Sequence, residues 1–295
     1  MTDVHGMCVD RPGFTLGLVQ RPPSPPDAGP TPSPPADNAA VRRLARATIW
    51  GLPLARLTYR ETLDEVDRLI EQGRPALFIT ANLHYAMLSA RDPRLQAVNK
   101  KAAFLVADGM PMVWYSRLAR RRLPERVAGA DLVYSLCRRA SEKGHRVFFL
   151  GGAPGVAEAA AEELTRRYAG LQVAGTDSPT LEALSPKQHA ELLARVRRRR
   201  PHLLLAALGQ PKGELWLAEH LEALAVPVSV QVGASFDFVA GRVARAPRWM
   251  QRVGMEWLYR TWREPRRLGP RYFHDGLFLA RAVLCDLLRL SERLL

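Results

Sequence analysis

The sequence predicts an α/β fold, a mostly parallel sheet with helices on its flanks. Three observations predict it. The runs Ala76 to Ile79 and Phe104 to Ala107 are continuously apolar rather than alternating, as strands buried on both faces are. Strand-like runs end in polar turns and are followed by helical segments, a rhythm that repeats along the chain. Arg146 to Gly175 contains a complete strand–turn–helix–strand unit, with Arg146 to Leu150 and Leu171 to Gly175 as its strands and Val156 to Tyr168 as its helix.

The remaining elements follow in order. Residues 1–40 hold nine prolines, including Pro22-Pro23, Pro25-Pro26 and Pro34-Pro35, and read as a disordered or polyproline-like leader. No basic region precedes a long apolar core there, which argues against a signal peptide. Globular sequence begins near Val41. Leu63, Val66, Leu69 and Ile70 have helical spacing over Thr62 to Ile70, and Gly73-Arg74-Pro75 stops that helix. Ala86 to Val98 is helical with a break at Asp92-Pro93, and Met110 to Leu118 is helical with Arg120-Arg121-Arg122 as its solvated end. Asp131 is placed as the cap of a helix running to Ala140. Further on, a helix is expected over Gln188 to Arg200, a strand over His202 to Leu208, a helix over Leu215 to Leu224 and a strand over Val226 to Val232. Gly276 to Leu295 reads as an amphipathic helix with Leu277, Ala280, Leu284, Leu287 and Leu288 on one face. The chain therefore divides into a leader (1–40), an α/β core (41–240) and a helical appendage (241–295).

Composition narrows the function classes. The 295 residues are 47% hydrophobic, so the chain is globular, and no apolar run is long enough to span a membrane. Three widely spaced cysteines, Cys8, Cys137 and Cys285, form neither a disulfide framework nor a zinc pattern and suit a reducing cytoplasm. The net charge of +14 and isoelectric point near 10.5 favour partners that carry phosphate. Half of that charge sits in residues 241–295, where twelve arginines face five acids and no lysine. Trp249, Trp257, Tyr259, Trp262, Tyr272, Phe273 and Phe278 are interleaved with them, the composition of a surface that meets anionic lipid.

Candidate site residues stand at the strand ends, where open α/β sheets bind ligands. Thr80, Asn82 and His84 follow one strand, and Asp108-Gly109 follows another. Gly151-Gly152-Ala-Pro154-Gly155 places bare backbone N–H groups at a helix N-terminus, a ready anion site, although it matches neither a dinucleotide fingerprint nor a Walker loop. Lys212 is a natural phosphate partner at the turn Gly209 to Glu214, and Gly233 with Asp237 closes the last strand. There is no D-x-D metal motif, no Cys/His cluster and no nucleophile elbow.

Taken in order, Thr80-Ala-Asn82, Ala107-Asp108-Gly109, Arg126-x-x-Gly129-x-Asp131, Gly151-Gly152-x-Pro154-Gly155, Gly209-Gln-Pro211-Lys212-x-Glu214, Phe236-Asp237-x-x-Ala-Gly241-x-x-x-Arg245-Ala-Pro247 and Gly254-Met-Glu256-Trp257-Leu-Tyr259-Arg260 carry a resemblance. So does Glu264-Pro265-Arg266-Arg267. Over roughly Val41 to Phe273 the chain resembles the WecG/TagA/CpsF family of bacterial glycosyltransferases. The resemblance implies a Rossmann-like sheet and an inverting, metal-independent transfer from a UDP-sugar, with no cofactor. It implies an acceptor sugar on a polyprenyl diphosphate, in envelope polysaccharide synthesis at the inner face of the cytoplasmic membrane. Asp108 holds the position of the base, and Thr80 and Asn82 fall where the nucleotide-sugar is contacted. Arg126, Gly129, Asp131, Gly151, Gly152, Gln210, Lys212, Glu214, Gly233, Asp237 and Arg245 are the implied binding positions. Arg260, Arg267 and Arg271 best match the appendage arginines that reach the site, although Gly269-Pro270 shifts the spacing of Arg271. Gly213 stands where the family usually has Gln, and His202 where an Asp is common. Two other readings stay open at this point, a nucleotide-sugar-binding protein without catalysis and, from charge alone, a basic nucleic-acid-binding protein. Oligomeric state, monomer or homo-oligomer, is also left open.

Overall fold

The computed structural model describes residues 44–292, so the expected leader and the last residues of the expected terminal helix fall outside the described residues. A hairpin of β1 (Arg46–Ile49) and β2 (Leu52–Ala55) opens the fold. Its turn residues Trp50 and Gly51 both have positive φ (48° and 82°), the geometry of a two-residue hairpin turn. There follow α1 (Tyr59–Gln72), β3 (Ala76–Ala81), α2 (Leu83–Arg91), α3 (Pro93–Lys101), β4 (Phe104–Ala107), α4 (Met110–Leu118) and α5 (Gly129–Lys143). Next come β5 (Arg146–Gly151), α6 (Val156–Arg167), β6 (Gln172–Asp177), α7 (Pro186–Arg199), β7 (Leu203–Ala207), α8 (Lys212–Glu219), α9 (Leu221–Leu224), β8 (Val228–Gln231) and α10 (Ser235–Val239). Three helices end the described chain: α11 (Arg248–Arg252), α12 (Glu256–Arg263) and α13 (Pro265–Glu292).

The eight strands form one sheet in the order β1-β2-β4-β3-β8-β7-β5-β6, parallel except for the β1–β2 pair. Helices α1, α5, α6 and α10 bury their apolar residues on one face, and α2, α3, α4, α7 and α8 on the other. Along the row β3, β8, β7, β5 the helix after each strand lies alternately on opposite faces, as α2, α10, α8 and α6. Chains that leave neighbouring strands toward opposite faces part from one another and open a crevice at the strand ends. The fold thus places the polar turns of β3, β8, β7 and β5 around one concave region.

Local chemistry sets the helix ends. Helix α1 starts earlier than its apolar spacing suggests, because Thr58 and Glu61 close a capping box: the Glu61 N–H donates to the Thr58 hydroxyl (3.2 Å) and the Thr58 N–H to the Glu61 carboxylate (2.8 Å). Asp131 is not the cap of α5. That helix begins two residues earlier, at Gly129, so Asp131 lies within its first turn, where an acid still meets the positive helix end. The expected Leu215–Leu224 helix starts at Lys212 and divides at His220 into α8 and α9.

The terminal helix is also longer than expected. It runs from Pro265 through Pro270 rather than starting at Gly276. Pro270 cannot donate to the backbone ladder, yet packing of Phe278 and Val283 against the core carries the helix through it. Its leucine face points outward: Leu277, Leu284 and Leu288 are 61%, 58% and 56% exposed.

Phe78 on β3 stacks on Phe104 on β4, centroids 4.9 Å apart, and both are fully buried. Phe78→Ala should lower unfolding free energy by about 3–5 kcal/mol in equilibrium denaturation. A loss below about 1 kcal/mol would mean that this layer is not close-packed.

Candidate active site

The β3–β4 register pairs Thr80 with Val106 and Ala81 with Ala107, so Thr80, Asn82 and Asp108 emerge together. The Thr80 hydroxyl donates to the Gln231 carbonyl at the end of β8 (3.3 Å). Gly129 faces both Thr80 and Asp108. A Cβ there would lie 3.2 Å from the Thr80 hydroxyl oxygen and 3.2 Å from Asp108 Oδ2. Ala128, the N-cap of α5, has no capping side chain, and the Gly129 N–H donates to the Asp108 carboxylate instead. The carboxylate therefore sits where the N-terminal dipole of α5 favours negative charge.

Burial nevertheless dominates. It raises the Asp108 pKa to about 7, against the opposing pull of Arg126 and the Gly129 N–H, and Glu256 and Asp131 push the same way as burial. A chain of alternating charge runs from this carboxylate. Arg126 lies 4.0 Å from Asp131 Oδ2, Asp131 Oδ1 accepts from Arg245 (2.6 Å), and Arg245 Nε lies 3.5 Å from Glu256. The Phe238 ring packs under two guanidinium groups, those of Arg245 (5.8 Å) and Arg260 (5.4 Å).

On the other side of the crevice, a cavity of about 250 Å³ lies between the ends of β5 and β7. Gly151, Gly152, Leu208 and Lys212 line it, together with Thr180 and Glu182 from the loop before α7. Gly151 has φ 101°, and a Cβ there would lie 2.7 Å from the Ala207 carbonyl oxygen, so the turn admits only glycine. Lys212 is exposed and ion-paired with Glu182. A larger cavity of about 470 Å³, lined by Arg46, Arg56, Arg120 and Arg121, contains none of these groups.

Gln210 and Glu214 support the crevice rather than face it. The Asn82 amide donates to Gln210 Oε1 (3.3 Å), and Asn82 Oδ1 accepts from the Tyr85 N–H as the cap of α2 (2.9 Å). Glu214 is only 1% exposed and accepts from the Gln210 side chain; burial raises its pKa to about 7. Gly233, by contrast, stands beside open space.

The appendage contributes its arginines unequally. The Nε groups of Arg260 and Arg271 are buried and donate to nothing, whereas Arg267 is exposed and pairs with Glu264 (2.5 Å). Asp237 is half-buried on α10 and close enough to Arg267 to act on its charge. His84 is tied to the appendage, its Nδ1 2.8 Å from Asp275 on α13. His202 accepts from the Arg146 N–H (2.9 Å) at the opposite end of the sheet, in a structural role.

The profile of the glycosyl transferase WecG/TagA/CpsF family matches residues 47–293. The chain belongs to this family. An N-acetylglucosaminyldiphosphoundecaprenol N-acetyl-beta-D-mannosaminyltransferase of Bacillus spizizenii is 32% identical over 67% of this chain and 75% of its own length. One of the same name from Bacillus subtilis is 30% identical over 76% of this chain and 88% of its own length. As a member of the family the protein is a glycosyltransferase, and the match extends beyond Phe273 into α13.

Within that family pattern, the structure accounts for Gly213. A Cβ at this position would lie 2.5 Å from Gln231 Nε2, because the Gln231 side chain from β8 already fills the space. Gln231, Phe238 and Glu256 line or brace the site without having stood out as site residues in the sequence. Gln231 follows an alternating strand pattern, and the other two lie in motifs whose chemistry falls on their neighbours. Gly129→Ala places a methyl against Thr80 and Asp108 in a helix turn that otherwise suits alanine. It should leave thermal stability nearly unchanged and cut turnover by about tenfold or more, since reactant placement alone can carry such factors. Unchanged turnover would show that nothing reacts at this contact.

Proposed function

We propose that this glycosyltransferase moves a hexose or N-acetylhexosamine, N-acetylmannosamine being the one that its relatives' names favour, from a UDP-sugar to a sugar on a polyprenyl diphosphate. The product feeds an envelope polysaccharide, exopolysaccharide or teichoic acid. The observation that carries this reading is Asp108, a carboxyl with its pKa raised to about 7 beside Thr80 and Gly129. A base of that strength takes the proton of the acceptor hydroxyl as its oxygen bonds to the sugar C1. The C1–oxygen bond to UDP breaks on the opposite face, and its electron pair leaves with the diphosphate, so the sugar inverts. Arg260 and Arg271, whose buried Nε groups donate no hydrogen bond, and the N–H groups after Gly151 would receive that charge. Lys212 would join them by exchanging Glu182 for phosphate.

This chemistry needs no metal. The sequence has no D-x-D motif, and guanidinium, lysine and N–H groups are proposed to take the diphosphate charge in place of a metal. Peripheral attachment to the membrane, at the cytoplasmic face as the family resemblance implies, is supported by the appendage. Trp249, Trp262, Phe273 and Leu277 are 61%, 75%, 70% and 61% exposed among arginines, and no described helix is long and apolar enough to cross a bilayer.

Asp108→Asn should bind UDP normally and lose at least about a hundredfold in turnover. In the unaltered enzyme, kcat should rise with pH and level off above about 7, because the base must be ionised. Stability moves the other way. A carboxyl with a raised folded pKa contributes fully below its unfolded value and loses that contribution as pH rises through about 7, so Asp108 and Glu214 both make unfolding easier over that range. A flat pH–rate profile between 5 and 8 would remove Asp108 as the base. Transfer should also persist in excess EDTA; loss of activity that manganese or magnesium restores would overturn the metal-free reading.

A further inference from the structure

We propose that His84 is a positioning residue: it holds the Asp275 carboxylate away from Arg271 and so keeps that guanidinium available to an anion. The inference rests on the reading of Arg271 as part of the diphosphate site. Asp275 lies on α13 and is 3% exposed. Its Oδ1 is 2.8 Å from His84 Nδ1, while its Oδ2 stops 3.9 Å from Arg271 Nε, beyond hydrogen-bonding range. Arg271 Nε is buried and donates to nothing. The charged and titratable groups acting on Arg271 are Tyr272, Asp275, Arg260 and Arg267, so Asp275 is the carboxylate placed to neutralise it.

Arg and Asp four residues apart on a helix are neighbours on one face; this pair is a loose ion pair that has not closed into a hydrogen bond. Here that closure needs a movement of only about 1 Å. What prevents it is a competing partner from another helix. His84 is the second residue of α2, and the cap of α2 is Asn82, at the crevice. The imidazole thus takes the carboxylate that would otherwise tie up the fork of Arg271. With His84 gone, the buried carboxylate turns to Arg271, closes the ion pair and holds the guanidinium along the surface of α13. A carboxylate on the guanidinium fork competes directly with a diphosphate for the same N–H donors.

Calorimetric titration of the full chain with UDP tests this. His84→Ala should weaken UDP binding about tenfold, the scale of one charge-assisted contact. Asp275→Asn alone should bind at least as tightly as the unaltered protein. The double variant His84→Ala/Asp275→Asn should recover most of the lost affinity, because the competing carboxylate is gone. His84→Gln, whose amide can donate to Asp275, should stay close to the unaltered protein. If the double variant binds no better than His84→Ala, or if His84→Ala binds UDP normally, His84 does not guard Arg271. Arg271→Gln separates the role of Arg271 from the role of His84. Normal UDP binding in that variant removes Arg271 from the diphosphate site and the inference with it, whereas weakened binding there and normal binding in His84→Ala overturns the inference alone. An unaltered protein that does not bind UDP overturns both.

Discussion

As the proposed base, Asp108 must be drawn far enough from water to hold a proton near neutrality, yet stay open to a substrate hydroxyl, and most of the candidate site answers to that demand. Burial supplies the rise in pKa, and the Gly129 N–H and Arg126 keep it from rising further. Gly129 leaves Asp108 and Thr80 room, since a Cβ would lie 3.2 Å from an oxygen of each. The helix that offers the N–H therefore starts with glycine, and Asp131 in its first turn engages Arg245, so that the chain after β8 is anchored to α5. One desolvated acid thus shapes the start of α5 and the seat of the segment that follows α10.

The sheet topology supplies room for this arrangement, and the appendage closes it. Four neighbouring strands send their helices alternately to opposite faces, so their ends are not filled by the connections themselves. Helices α12 and α13 bring Glu256, Arg260 and Arg271 to the same end. The far part of α13 is held by Phe278 against Trp50 (6.1 Å) and by the Tyr115 hydroxyl, which donates to Asp286. Exposed apolar side chains and buried guanidinium donors fall to different sides of one segment. Its outward side carries the exposed tryptophans and leucines, and its inward side carries guanidinium groups with unused donors.

The strand ends were legible in the sequence because glycine and polar residues after apolar runs have few other uses. The strands through Thr80, Asp108 and Gly151 lie where those runs predict them. The β1–β2 hairpin was not legible, since its turn uses Trp50 at positive φ, a residue that turn chemistry disfavours. Position along a motif also failed to separate residues that face the crevice from residues beneath it. Glu214 shares a turn with Lys212, yet one is buried and the other exposed. The leucine face of the terminal helix has the period expected of a packed helix, but which side packs was decided by Phe278, Val283 and the two aspartates of α13. The partner of His84 lies 191 residues away, beyond any local pattern.

The proposed single displacement, by a hydroxyl that Asp108 deprotonates and from the face opposite UDP, has one consequence, inversion at the sugar C1. The direct measurement is the anomeric configuration, by proton NMR, of the disaccharide formed from UDP-N-acetyl-α-D-mannosamine and a synthetic prenyl-diphosphate N-acetylglucosamine acceptor. The account predicts a β linkage. An α linkage would mean retention, and would contradict a one-step transfer in which Asp108 activates a hydroxyl on the face opposite UDP.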